Sequence, residues 1–214
     1  MKSHKHSLKQ DFFDKWSPEM AYVLGFWFAD GYMRRSGSYK IVFYAKDYEM
    51  LTKIRNVMGS SHPFYRDKRY ESFQFTVYSK RLFQKLLELG GIRCKSKTMK
   101  FPKVPFQYLP DFIRGYFDGD GSVFYTTYIH SKNKKLRREL RSNFTSGNKE
   151  FLESLQNIFI NVLGFTKKKI CPYDERASWK LGYGTKDTLS LLRFMYYPNY
   201  PIGLDRKSSF LKNR

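Results

Sequence analysis

The chain has 214 residues, with 40 Lys or Arg against 19 Asp or Glu, a formal charge of +21 at pH 7. That surplus repels itself unless a polyanion neutralises it, and nucleic acid does so with release of counterions. Hydrophobic residues make up 41% and aromatic ones 19%, spread along the whole chain, which excludes a disordered polymer and provides for a packed core. No apolar run approaches the roughly 20 residues that cross a bilayer, so a membrane partner is not expected.

The two cysteines, Cys94 and Cys171, show neither metal-ligand spacing nor a disulfide framework, which points to a reduced, intracellular protein. His4, His6, His62 and His130 are scattered and unpaired with Cys, against a zinc site. Met1 to Gln10 is basic and lacks the apolar stretch of a secretory signal.

In chain order, Ser17 followed by Pro18 reads as a helix start, a capping hydroxyl before a residue suited to the first helical position. The helix predicted from there runs through Ala21, Val23, Leu24, Phe26, Trp27 and Phe28. It is apolar nearly all round and therefore expected between other elements. Asp30-Gly31 marks its end, with Gly31 expected in the left-handed conformation that stops a helix. A β-like run at 38–46 precedes a helical stretch beginning at Asp47. Residues 65–90 read as an alternating strand, with Phe73, Phe75 and Val77 on its apolar side, leading into an amphipathic helix.

Each of these segments comes again. Residues 111–123 (DFIRGYFDGDGSV) repeat residues 21–33 (AYVLGFWFADGYM), setting Gly115 on Gly25, Asp120 on Asp30 and Gly121 on Gly31. A strand at 139–146 and a helix at 148–164 follow. Residues 171–195 then match 65–90, with Trp179, Leu181 and Tyr183 in the apolar places. The halves also end alike, with Lys97-Thr98 and Lys207-Ser208. The chain therefore reads as an α+β protein of two pseudo-symmetric αββαββα copies, 1–100 and 101–214. They differ at 131–141 (SKNKKLRRELR), which reads as a basic loop, either simply solvated or gripping DNA backbone through Lys134, Lys135, Arg137 and Arg138.

Gly25 and Ala29 lie four apart on one helix face, as do Gly115 and Gly119. Small residues at that spacing let two helix backbones approach, so the two repeated helices are expected to pair along a pseudo-twofold axis. Asp30 and Asp120 would then meet at the bottom of the seam, where mutual repulsion and the helix dipoles call for a divalent cation. Oxygen ligands favour Mg²⁺, and in phosphodiester hydrolysis such a metal activates water and stabilises the leaving oxygen. Asp118 stands where the first copy has Phe28, so it is expected to hydrogen-bond locally rather than to catalyse.

VLGFWFADG (23–31) and IRGYFDGDG (113–121), within two αββαββα copies, resemble the signature helices of the LAGLIDADG homing endonucleases. The resemblance implies saddle-shaped antiparallel sheets laid in the DNA major groove and cleavage of both strands across the minor groove, leaving short 3′ overhangs. It implies a monomer acting on a long, asymmetric double-stranded site. Asp30 and Asp120 would bind Mg²⁺, with Mn²⁺ as a substitute and Ca²⁺ supporting binding without cleavage, and Ala29 and Gly119 would add carbonyl ligands. Lys46, Lys97 and Lys207 resemble the lysines that flank the metals. Gly147, aligned with Lys46, departs from the pattern. Members are encoded within introns or inteins or stand alone, and intron homing is the role implied. The expected place is the cytoplasm or nucleoid of a prokaryotic or phage-infected cell, or an organelle matrix if organelle-encoded. The alternative is a non-cutting relative that assists RNA splicing or regulates DNA.

Strand parity supplies the DNA-facing residues. In the first copy these are Arg34, Lys40, Val42, Tyr44, Gln74, Thr76 and Tyr78. In the second they are Phe124, Thr126, Tyr128, Arg141, Asn143, Thr145 and Lys180. Arg, Lys, Gln and Asn among them are types that read base edges.

Overall fold

The computed structural model describes residues 6–35, 37–92, 97–130, 134–173 and 178–212. Helix α1 (Pro18–Asp30) starts as its sequence predicts, with the Ser17 hydroxyl accepting from the Met20 amide and Pro18 in the first turn. Strands β1 (Gly31–Arg35) and β2 (Tyr39–Ala45), helix α2 (Tyr48–Val57), strands β3 (Phe64–Asp67) and β4 (Ser72–Tyr78) and helix α3 (Lys80–Glu88) complete the first αββαββα unit. The second repeats it with α4 (Leu109–Asp120), β5 (Gly121–Ile129), β6 (Leu136–Ser146), α5 (Lys149–Leu163), β7 (Cys171–Pro172), β8 (Trp179–Tyr183) and α6 (Thr185–Met195). A short helix, α7 (Asp205–Ser208), follows.

Each unit forms one antiparallel four-stranded sheet, ordered β1-β2-β4-β3 and β5-β6-β8-β7. One face of each packs on helices. Ile41, Phe43, Phe75 and Val77 are wholly buried in the first sheet, and Phe144 and Leu181 in the second. Asp47 and Asn148 cap α2 and α5 at matching places, which fixes Lys46 opposite Gly147 in the alignment of the units.

The seam between α1 and α4 positions everything else. These two helices run against each other along most of their length, and Met20 through Phe28 of α1 are all buried. A Cβ on Gly25 would collide with the Phe112 carbonyl oxygen, and one on Gly115 with the Tyr22 carbonyl oxygen. The clashes are reciprocal because the two glycines are related by the pseudo-twofold axis, and lower down a Cβ on Gly119 would meet Ala29. Two side-chain pairs flank the glycines: the Tyr22 hydroxyl donates to Asp118 at 2.8 Å, and the Phe28 and Phe112 rings meet edge-on at 5.5 Å.

Two expectations are corrected here. Gly31 and Gly121 are not left-handed. Their φ angles are −101° and −93°, and glycine is required because a Cβ would strike the ring and carbonyl of Trp27 or Phe117 in the last helical turn. Nor is the basic segment 131–141 a loop throughout. From Leu136 onward it is strand, paired residue by residue with β5 as far as Ile129↔Leu136, while residues 131–133 lie outside the described set. Of the cysteines, Cys171 is a free, half-buried thiol and Cys94 lies outside the described residues.

Gly25→Ala is expected to force the two backbones apart, at a cost of roughly 1–3 kcal/mol or more. In a chain of this size that lowers the melting temperature by about 2–4 °C per kcal/mol. A calorimetric midpoint within a degree of the parent would show that the seam has room to spare.

Candidate active site

Where α1 and α4 end, the chain turns directly into β1 and β5, so Asp30 and Asp120 stand at the junction of the seam with the two sheets. The Asp30 carboxylate reaches across: one oxygen lies 3.3 Å from the point a Gly119 Cβ would occupy, one residue before Asp120. Both carboxylates also act on one group, the Tyr116 hydroxyl, whose pKa burial pushes well up and the charges of Asp120 and Asp30 push further. That hydroxyl donates to the Thr145 carbonyl at 2.7 Å, and the Thr145 hydroxyl donates at 2.7 Å to the Asp120 carbonyl, fixing the end of α4 against β6. The Asp30 carboxylate thus lies across the seam beside Gly119, the neighbour of Asp120, at the ends of the paired helices.

The basic residues around them are unequal. Lys46 is exposed and lines a cavity of about 340 Å³ together with Asp30 and Gly119. Gly147, its counterpart, brings no charge. Lys207 is buried, and its Nζ donates to the carbonyls of Phe117, Asp118 and Gly121, the last two at 3.1 and 2.7 Å. An ammonium has three hydrogens, so this one is fully engaged in closing the C-terminal end of α4, where a cation also suits the dipole. Burial lowers its pKa to about 8, partly opposed by Asp118. Lys97, expected as its equivalent, is exposed. The two lysines thus match in sequence but not in burial, and Lys207 holds its motif helix.

Asp118 is a hydrogen-bonding residue as expected, but its partners come from across the fold rather than locally. It is buried and accepts from the Tyr22 hydroxyl, the Tyr196 hydroxyl and the Leu204 amide.

The outward faces of the two sheets carry most of the predicted DNA-facing set. Register pairs Arg34 with Lys40, Lys40 with Tyr78, Val42 with Thr76 and Tyr44 with Gln74, placing them on one face, opposite the core. Val42 is itself fully buried under its neighbours on that face. Arg34, Lys40 and Tyr78 line one hollow of about 190 Å³. On the second sheet Phe124 pairs with Arg141, Tyr128 with Arg137 and Thr145 with Lys180. Phe124, Thr126, Arg141, Asn143 and Lys180 line a hollow of about 420 Å³. Lys134 and Lys135 sit at the hairpin tip, both exposed. Arg138 is a correction: strand parity turns it to the other face, where its guanidinium lies 3.8 Å from the Tyr125 ring centroid. As a strand residue it alternates with Arg137, so the two cannot share a surface.

No protein-family model matches the sequence, and no curated protein matches it. Solved structures do match by shape. The I-LtrWI LAGLIDADG homing endonuclease bound to target DNA superposes at a TM-score of 0.58, with 15% identity over 95% of this chain and 87% of that one. I-SmaMI on an uncleaved DNA target with calcium ions gives 0.60, with 14% identity over 92% and 89%. The I-SmaMI LAGLIDADG homing endonuclease bound to cleaved DNA also gives 0.60, at 14% over 92% and 87%. The chain has the LAGLIDADG homing-endonuclease fold.

Within that fold, some residues at the site were not foreseen from sequence. Asp111 and Arg114 form a fully buried pair at 2.6 Å on α4. Arg114 also donates to the carbonyls of Met195 and Ile202 and lies against the rings of Tyr22, Tyr197 and Tyr200. This cluster ties the LAGLIDADG helix of the second unit to the segment before α7, which delivers Lys207. Asp111 and Arg114 are three apart on one helix, a spacing that could have suggested the pair. Lys168 and Lys169 join the second-sheet hollow. They precede a two-residue strand, too short to give an alternation signal.

Lys207 sets a pH dependence in the metal-free protein. With its folded pKa near 8 against an ordinary 10.5, the unfolded chain holds a proton there that the folded one has lost between those values. Its contribution to stability therefore rises with pH across that window, by up to about 3 kcal/mol. Urea melts of the parent and Lys207→Met should diverge accordingly from pH 8 to 10. A constant difference would show that the ammonium keeps its ordinary pKa.

Proposed function

We propose that the protein is a site-specific endonuclease that cuts both strands of a long, asymmetric DNA site with the aid of a divalent cation. One observation carries this reading: two acids, Asp30 and Asp120, end the paired, glycine-lined helices, the Asp30 carboxylate reaching across beside Gly119, between two sheets with basic residues on their outward faces. The three solved structures of like fold named above are bound to DNA, one of them cleaved and one with calcium, which supports the reading.

The donor chemistry suits a hard cation. Asp30 and Asp120 offer carboxylate oxygens, and Ala29 and Gly119, which face each other across the seam, add backbone carbonyls. Among the described residues no group of three or more His, Cys, Asp or Glu side chains converges. Two acids would leave positions for water and phosphate oxygen, as Mg²⁺ prefers. When bound, Mg²⁺ or Mn²⁺ would supply a nucleophilic water and neutralise charge on the phosphate, and Ca²⁺ would support binding alone.

The chain's own residues do the rest. The sheets hold the duplex by its backbone and base edges, with Arg, Lys, Gln and Asn for reading and Tyr44, Tyr78 and Phe124 for apolar contact. Lys46 sets a positive charge beside Asp30, where negative charge grows as phosphate is attacked. Thr145 and Lys207 keep the end of α4 in register, so that Asp120 meets its phosphate without rearrangement. Breaks placed across the minor groove would leave short 3′ overhangs, the ends that serve intron homing, and a chain carrying both acids acts as a monomer.

Asp30→Asn and Asp120→Asn are each expected to reduce cleavage of a plasmid library with Mg²⁺ by about a hundredfold or more, since loss of outer-shell partners alone costs 10- to 100-fold. Binding in gel shift should persist in both. Undiminished cleavage in either variant, or a parent protein that binds DNA and never cuts it, would rule the nuclease out.

A further inference from the structure

The two sheets reach unequal distances from the seam. In the first unit β1 and β2 pair over five positions, Gly31↔Phe43 to Arg35↔Tyr39. In the second, β5 and β6 pair over nine, Gly121↔Phe144 to Ile129↔Leu136. Both ladders begin at the residue after a motif acid, so the four additional pairs all lie at the far end. At about 3.3 Å per residue they extend the second sheet by about 13 Å, the length of about four base-pair steps.

The extension is built as a reading surface. Its outward positions are Thr126, Tyr128, Arg137 and Glu139, with Arg141 beside them. Glu139 is the one carboxylate among the outward residues of β5, β6 and β8, a costly choice on a face that meets phosphates. It is held in place: one oxygen accepts from the Tyr128 hydroxyl, and the other accepts from Arg141 at 3.2 Å. Two flanking arginines, Arg137 and Arg141, offset its repulsion of phosphate. A carboxylate so placed accepts hydrogen bonds only, and in the major groove the partner it fits is the exocyclic amino group of cytosine.

Resting on the endonuclease reading above, we propose that the target is lopsided. The half under the second sheet extends about three to four base pairs further from the cut, and Glu139 selects a cytosine within that added stretch.

The test begins with a duplex library randomised over a stretch longer than the molecule, from which cleaved sequences are recovered and the cut mapped. Selected positions should run further from the cut on one side, and hydroxyl-radical footprints should show the same imbalance. Replacing residues 127–138 with an Asn-Gly turn removes three of the pairs. It should shorten the long side alone by about three base pairs. Glu139→Gln leaves the hairpin intact and guards against a misfolded deletion. It should lower the preference for cytosine at one outlying position by about tenfold to a hundredfold, while raising affinity for unrelated DNA. Footprints of equal length on both sides of the cut would overturn the unequal reach. An unchanged preference profile in Glu139→Gln would overturn the assignment of that residue. A parent protein that recovers no cleaved sequence would instead bring down the nuclease reading itself.

Discussion

The distance between two helix backbones governs this molecule. With Gly25 under the Phe112 carbonyl and Gly115 under the Tyr22 carbonyl, α1 and α4 approach as closely as their main chains allow. Their ends, and the acids on them, follow. Because each helix runs straight into the first strand of its sheet, the same approach sets where both sheets begin. Close packing of this kind admits little drift, which is what a site needing two carboxylates in register requires. Gly31 and Gly121 extend the constraint around the corner, letting the strand leave the helix tight against an aromatic ring.

A second layer, confined to one side, holds the end of α4. Asp111, Arg114, Asp118 and Lys207 are all buried, and between them they bind five carbonyls, those of Phe117, Asp118, Gly121, Met195 and Ile202, two tyrosine hydroxyls of the C-terminal stretch and the Leu204 amide. Buried charges are tolerated only when paired and hydrogen-bonded: Asp111 and Arg114 pair with each other, Asp118 is held by tyrosine hydroxyls and the Leu204 amide, and Lys207 by main-chain carbonyls at the foot of the second motif helix. The first motif helix has Leu24 and Phe28 at the places of Arg114 and Asp118, and apolar packing does the same work there. The two acids thus share one seam but rest on different foundations.

Much of this was legible in the sequence, for reasons that can be named. Ser17 before Pro18 gave the start of α1, and the offset between Gly25 and Gly115 gave the seam. The alternation of Phe73, Phe75 and Val77 gave the face of β4. Asp118 opposite Phe28 gave a structural rather than a chemical acid. The length of the second hairpin was hidden because it projects past the core. Leu136 is exposed and Arg138 lies over Tyr125, so no apolar alternation marks the outer part of β6 as strand. The conformation of Gly31 is not legible because glycine permits both a left-handed turn and a missing Cβ, and only the position of Trp27 tells them apart. The burial of Lys207 depended on a fold-back of residues 196–204 that no local pattern encodes.

The flanking pairs of the seam bear on how the two repeats recognise each other. Tyr22 meets Asp118, while the symmetry-related Phe112 meets Phe28. Two copies of the first repeat would bring Tyr22 to Phe28 and strand a hydroxyl among rings; two copies of the second would bring Phe112 to Asp118 and leave a carboxylate without that donor. Either mismatch removes a partner from a buried polar group, a penalty of about 1–3 kcal/mol and more for a charge, counted twice by symmetry. Self-association of like repeats is therefore disfavoured by the same contact that favours unlike ones. The two repeats of this polypeptide fit as a matched left and right hand.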